Sequence, residues 1–172
     1  MRTRDVVADQ RTQASDELVL GVPAEPGIIA VARLFVAAAC RHAGFEEEVI
    51  DDARIATSEA VTNAVKAHMA AGEKRPLRVI ARPVGDGQMV IEVIDAGPGF
   101  EVREQPPADG ATPASGLFEG SLGLTVIRSL FPDLQISRNP DRGMTVSFTV
   151  CHADDRLAND RAEDEDGDDR PA

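Results

Sequence analysis

The stretch QMVIEVIDAGPGF, residues 88–100, ends an apolar alternation on an acid. Met89, Ile91, Val93 and Asp95 fall on one face of a strand, so the carboxylate of Asp95 joins the buried register. A buried carboxylate needs a donor, and a ligand amine would supply one. Gly97 and Gly99, which follow it, would let a flat ring approach the backbone closely. A tight turn is the plainer reading of the glycines alone, but it leaves the inward acid unexplained. In EGSLGL, residues 119–124, a Gly/Ser loop feeds a helix whose first free N–H groups suit an anion such as phosphate. Ser121 as an ordinary helix cap is the simpler alternative there. In DARIATSEAVTNAVKAH, residues 52–68, Glu59, Asn63 and Lys66 stand at i, i+4 and i+7 and share one helical stripe. By itself that spacing is most simply a solvated polar face.

These residues need elements to hold them. Leu18, Leu20 and Val22 alternate in a first strand, and Pro26 opens a helix to about His42, marked by Ile29, Arg33 and Val36. Gly44 stops that helix. A second helix is predicted from about Glu46 to Ala70, with Ala53, Ala56, Ala60 and Ala64 forming a stripe that permits close packing. Leu77, Val79 and Ala81 share the face of a next strand, and the strand ending in Asp95 follows a Gly-Asp-Gly turn. Residues 101–120, rich in Pro, Gly, Ala and Ser, read as a mobile loop. SLGLTVIRSLF is a short helix, DLQISR a strand, and GMTVSFTV a last strand with Met144, Val146, Phe148 and Val150 inward. The order predicts an α+β fold, a two-layer sandwich with helices on one face of a mostly antiparallel sheet.

Bulk properties narrow the function. The chain has 172 residues and a formal charge of −12. From Asp154 to the end there are nine acidic and three basic residues, which predicts a disordered acidic tail over about 152–172. The other 153 residues hold 21 acidic and 15 basic side chains, so the body is acidic too. That argues against direct nucleic-acid binding, which needs Lys/Arg stripes. Residues 1–16 are polar throughout and read as a loose arm rather than an apolar leader. The longest apolar run, residues 28–40, is broken by Arg33 and too short to cross a bilayer. Two distant cysteines, Cys40 and Cys151, suggest neither a metal site nor a disulfide framework, and a reducing cytoplasm is expected. Cys40 reads as a small core residue, and His42, His68 and His152 read as surface or helix-end residues.

Together the motifs say more than any one does. E-x-x-x-N-A on a helix, D-x-G-x-G-F after a strand, a loop, and then G-L opening a helix resemble the GHKL ATPase superfamily of gyrase, heat-shock chaperone, histidine kinase and mismatch-repair proteins. SEAVTNAVKAH, VIDAGPGF and GSLGLTVIRSL look like the bacterial anti-sigma-factor serine/threonine kinases, over about residues 17–151. The resemblance implies a Bergerat-type ATP-binding fold with ATP and Mg2+ as cofactors. It makes Asn63 the magnesium ligand and Glu59 the general base. Asp95 then accepts from the adenine amino group, with Gly97 and Gly99 bordering the ring, and residues 101–120 form the lid. Arg103, the only cation between Phe100 and Ile127, joins Lys66 and the helix start at Ser121, Leu122, Gly123 and Leu124 as phosphate-binding candidates. So thin a provision of cations predicts slow, regulatory turnover.

Three positions depart from the family pattern. The family's His four residues after the Asn is replaced by Ala67, with His68 next. Its usual G-x-G at the lid's end has Ser121 first, and its Thr after the last strand's glycine is displaced in Gly143-Met144-Thr145. The last change removes a water-mediated adenine contact and predicts modest nucleotide affinity. The implied function is a protein serine/threonine kinase that phosphorylates a STAS-domain anti-sigma antagonist and sequesters a sigma factor. The alternative is a non-catalytic ATP-binding module that controls a partner. Leu18, Leu20 and Val22 would support an intermolecular sheet in a homodimer.

Overall fold

Alternation and helical periodicity sort the chain into eight elements. These are β1 (Leu18–Val22), α1 (Ile28–Ala43), α2 (Glu47–Ala71), β2 (Leu77–Pro83), β3 (Met89–Ile94), α3 (Leu122–Leu130), β4 (Gln135–Arg138) and β5 (Met144–Val150). The computed structural model describes residues 17–85, 87–98 and 122–154. The expected arm, the lid at 101–120 and most of the acidic tail lie outside the described residues, as do Gly99, Arg103 and Ser121.

The strands form one antiparallel sheet in the order β1-β2-β3-β5-β4. One row of the register runs Leu20, Val79, Val93, Val146, Ile136 across all five strands, and its three central residues are buried. Each strand thus turns its apolar face the same way, and the helices cover that face. The expected α+β sandwich is the observed architecture.

Glycine ends both long helices by the same device. Gly44 and Gly72 adopt φ of 88° and 61°, and the next residues, Phe45 and Glu73, donate to the Cys40 and His68 carbonyls at 3.1 and 3.0 Å. Glu47 and Glu48 lie in the first turn of α2, where carboxylates complement the helix dipole. The predicted alanine stripe is fully inside: Ala53, Ala56, Ala60 and Ala64 are at most 4% exposed. Small side chains there allow α2 to lie close against α1 and the sheet. Arg33, expected on the α1 stripe, is exposed; Ala32, Val36 and Cys40 form the buried line instead. Burial pushes the Cys40 thiol up to about 11. Among the described residues no helix is long and apolar enough to cross a membrane.

With so few aromatic residues, two phenylalanines close the end of the core beneath α3. Phe131 and Phe148 are each 1% exposed, and their tilted rings stack at 4.6 Å between centroids. Phe131→Ala is expected to cost about 3–5 kcal/mol, because the cavity cannot be refilled by the short neighbouring side chains. Urea denaturation checks this: the midpoint falls while the slope stays that of the unchanged chain.

Candidate active site

Helix α2 carries the polar stripe past the sheet. Glu59 and Asn63 are half-buried on it, and Lys66, one turn further, is exposed. Against the first two lies the start of α3. A Cβ placed on Gly123 would stand 2.5 Å from Glu59 Oε2 and 3.4 Å from Asn63 Nδ2. The backbone of α3 therefore packs directly on the carboxylate and the carboxamide, and any side chain at this position would push the end of Glu59 aside. The first N–H groups of α3 end beside these two side chains, where helix geometry leaves them without intrahelical acceptors. Leu122 is 85% exposed at this end, whereas Leu124 is buried in the core.

Asp95 follows the last residue of β3 and keeps to the ladder, its N–H donating to the Met144 carbonyl at 2.9 Å. It is 8% exposed, as its place in the buried register predicts. Asp95 Oδ1 accepts from the Gly97 N–H at 2.7 Å, and among the described residues no donor stands on Oδ2. The rest of the loop is tied from several directions. Asn139 Nδ2 donates to the Asp95 carbonyl at 3.1 Å, and the Thr145 hydroxyl donates to Asn139 Oδ1 at 2.6 Å. Arg75 donates to the Ala96 carbonyl at 3.2 Å and Arg142 to the Gly97 carbonyl at 3.3 Å. Glu73 pairs with Arg75 at 3.0 Å and lies 3.9 Å from Arg142. Hydrogen bonds from the Arg75 side chain, then from the Arg75 amide, hold the Glu73 carboxyl down at about 2. Gly143, at φ 98°, stands so close that a Cβ would overlap the Asp95 carbonyl. Gly97 is buried, and a Cβ there would meet Ala67 Cβ at 3.1 Å.

His68 stands in the last turn of α2, the helix-end place expected for it, but it is not at the surface: it is 1% exposed, and its Nε2 accepts the Ala96 N–H at 2.8 Å. The cause is tertiary, because the loop after β3 returns across the last turn of α2 and buries it. His42 is exposed, as expected. His152 is half-buried, its Nδ1 3.0 Å from a Glu46 carboxylate oxygen and its ring 4.8 Å from that of Phe45. Asn139, Arg75, Arg142 and His68 were all missed as site residues. Of these only His68 left a signal, since it shares the helical line of Thr57, Val61 and Ala64, all buried. Among the described residues the structure brings Glu59, Asn63 and Gly123 into one group and Asp95 and Gly97 into another, both along α2.

Comparison with known proteins agrees with this arrangement. A family model described as a histidine kinase-like ATPase domain matches residues 22–150. The serine-protein kinase RsbW of Listeria monocytogenes is 33% identical over 138 residues, covering 78% of this chain and 86% of that protein. The protein of the same name from Bacillus cereus is 33% identical over 151 residues, covering 84% of this chain and 91% of its own. Among solved structures, the RsbU and RsbW domains of a Mycobacterium tuberculosis protein align with a TM-score of 0.57. That match, at 22% identity, covers 78% of this chain and 31% of the longer one and bears on the fold alone. The chain belongs to the histidine kinase-like ATPase domain family and is a relative of the RsbW serine-protein kinases.

Proposed function

We propose that the chain is an ATP-dependent protein serine/threonine kinase and anti-sigma factor whose substrate is a STAS-type anti-sigma antagonist. The observation that carries this reading is the close seat of Gly123 on Glu59 and Asn63. It sets a carboxylate, a carboxamide and a helix start within one small space, which supports a reading of them as base, cation ligand and phosphate cradle.

The residues suit the cofactors. Asp95 Oδ2 is open toward an amine, while its partner oxygen is held by the Gly97 N–H. Asn63 would offer Mg2+ one oxygen, with phosphates and water completing its shell. Magnesium-bound ATP, when present, supplies the phosphoryl group and screens its charge. Glu59 then takes the proton from the substrate hydroxyl, and the N–H groups at the start of α3 face the phosphates. Gly99, Arg103, Ser121 and the lid at 101–120 belong to the same proposal, with Lys66 as a further cation. A sigma factor and the antagonist are the partners in the cytoplasm, and β1 at the edge of the sheet is the surface for a homodimer; of Leu18, Leu20 and Val22, Leu18 is exposed there while Val22 is in the core. Domain limits of 17–151 for the kinase body and 152–172 for the tail complete the reading.

Two substitutions test it. Glu59→Gln should lower phosphate transfer to the antagonist by about 10²-fold or more while ADP binding, read by calorimetry, is unchanged. Binding with no transfer in the unmodified protein would instead favour a non-catalytic nucleotide-controlled module. Asp95→Ala should weaken ADP binding about tenfold or more, the scale of a lost charge-assisted hydrogen bond. Full heat of binding in that variant would remove the adenine pocket from this place.

A further inference from the structure

His68 is an expensive residue to bury. It is 1% exposed, its Nε2 accepts the Ala96 N–H, and its Nδ1 has no partner among the described residues. An apolar side chain of similar volume would fill the space without stranding Nδ1, but it would leave the Ala96 N–H without this acceptor. The bond it makes therefore has to matter more than the packing it supplies.

That bond acts on one peptide. The Ala96 N–H belongs to the peptide plane that begins at the Asp95 carbonyl, and that carbonyl accepts from Asn139 Nδ2 at 3.1 Å. The plane is thus held at both poles, by His68 from α2 at the nitrogen and by Asn139 from the β4–β5 connection at the oxygen. The preceding peptide is fixed as well, because the Asp95 N–H donates to Met144. With both flanking peptides set, the Asp95 Cα–Cβ direction is set, and the Gly97 N–H on Oδ1 restrains the turn of the carboxylate about it, so the outer oxygen has a defined place. An acceptor is required at Nε2, so the ring is neutral with its proton on Nδ1.

We propose that His68 is a positioning residue for base recognition: it orients Asp95 so that the site distinguishes a 6-amino purine from a 6-oxo purine. This rests on the adenine-pocket reading above. His68 does not touch the nucleotide; it acts through the Asp95–Ala96 peptide. A site whose carboxylate is well aimed rewards an amino donor and penalises a carbonyl oxygen, whereas a poorly aimed one does neither.

The test is a ratio. Dissociation constants for ADP and for inosine diphosphate are measured on the full chain and on His68→Leu, His68→Gln and Asp95→Ala. The unmodified protein should prefer ADP. His68→Leu should lose about tenfold of that preference, mainly by weaker ADP binding, as expected when an aimed charge-assisted bond is spoiled. His68→Gln, whose side-chain oxygen can still accept, should recover most of it. A purely structural histidine would lower the melting temperature and weaken both nucleotides alike. An unchanged ratio in His68→Leu, or no recovery in His68→Gln, overturns the assignment. If the leucine variant fails to fold, the nitrogen spectrum of the unmodified protein decides: a proton on Nε2 of His68 rules the proposal out, and one on Nδ1 sustains it. Failure of the adenine pocket itself looks different, because the unmodified protein would then bind both nucleotides equally or Asp95→Ala would keep the preference.

Discussion

Keeping the Asp95 carboxylate out of water while leaving one of its oxygens open is the constraint to which most of this site answers. A buried charge costs several kcal/mol unless donors replace its hydration. The direct remedy, an arginine in contact, would occupy the oxygen that a ligand needs. The chain uses a different arrangement. One oxygen takes the Gly97 N–H, and Arg75 and Arg142 hold the carbonyls of Ala96 and Gly97 instead of the carboxylate. Glu73, which pairs with Arg75 and lies near Arg142, limits where those guanidiniums can go.

Small residues then do the spacing. Gly143 lets the last strand's turn back onto the Asp95 carbonyl, and Gly97 meets Ala67 where two larger residues would clash. Gly123 seats α3 on Glu59 and Asn63. All three contacts end on, or beside, what α2 positions, and α2 is a single helix of 25 residues. Glu59 and Asn63 face α3, while Ala67 and His68, one turn onward, face the Asp95 loop. A helix rises about 1.5 Å per residue, so the separation between the Asp95 group and the Glu59–Asn63 group is built into one rigid element. The alanine stripe beneath keeps that element close to the sheet. Packing of α2 and alignment of the site are therefore the same interaction seen from two sides.

Local patterns made the architecture and half of the site legible. Period-two alternation ran through Met89, Ile91 and Val93 to Asp95 because the backbone ladder continues one residue past β3, to Met144. Helix stops at Gly44 and Gly72 were legible because only glycine adopts those φ values cheaply. The partners of the Asp95 loop were not. Asn139, Arg75 and Arg142 reach it across sequence separations of 21 to 45 residues, and no spacing rule encodes such contacts. His68 is the instructive miss. Its position in the last turn of a helix argued for solvent, while its register with Val61 and Ala64 argued for burial. Register won, since a loop from elsewhere covers the helix end.

The two departures from the family pattern at Ala67-His68 and Met144-Thr145 are best understood together. Each displaces a polar side chain by one residue, His along α2 and Thr along β5. On a strand, one residue reverses the face, so Thr145 leaves the core side and Met144, 2% exposed, takes it. On a helix, one residue turns the side chain by about 100°, which carries the imidazole beneath the Asp95 loop. Ala67, at the vacated position, is small enough to sit against Gly97. Both displaced groups now converge on one peptide, His68 at its N–H and Thr145, through Asn139, at its carbonyl. The two shifts therefore end in the same place, with one peptide beside Asp95 held from both sides.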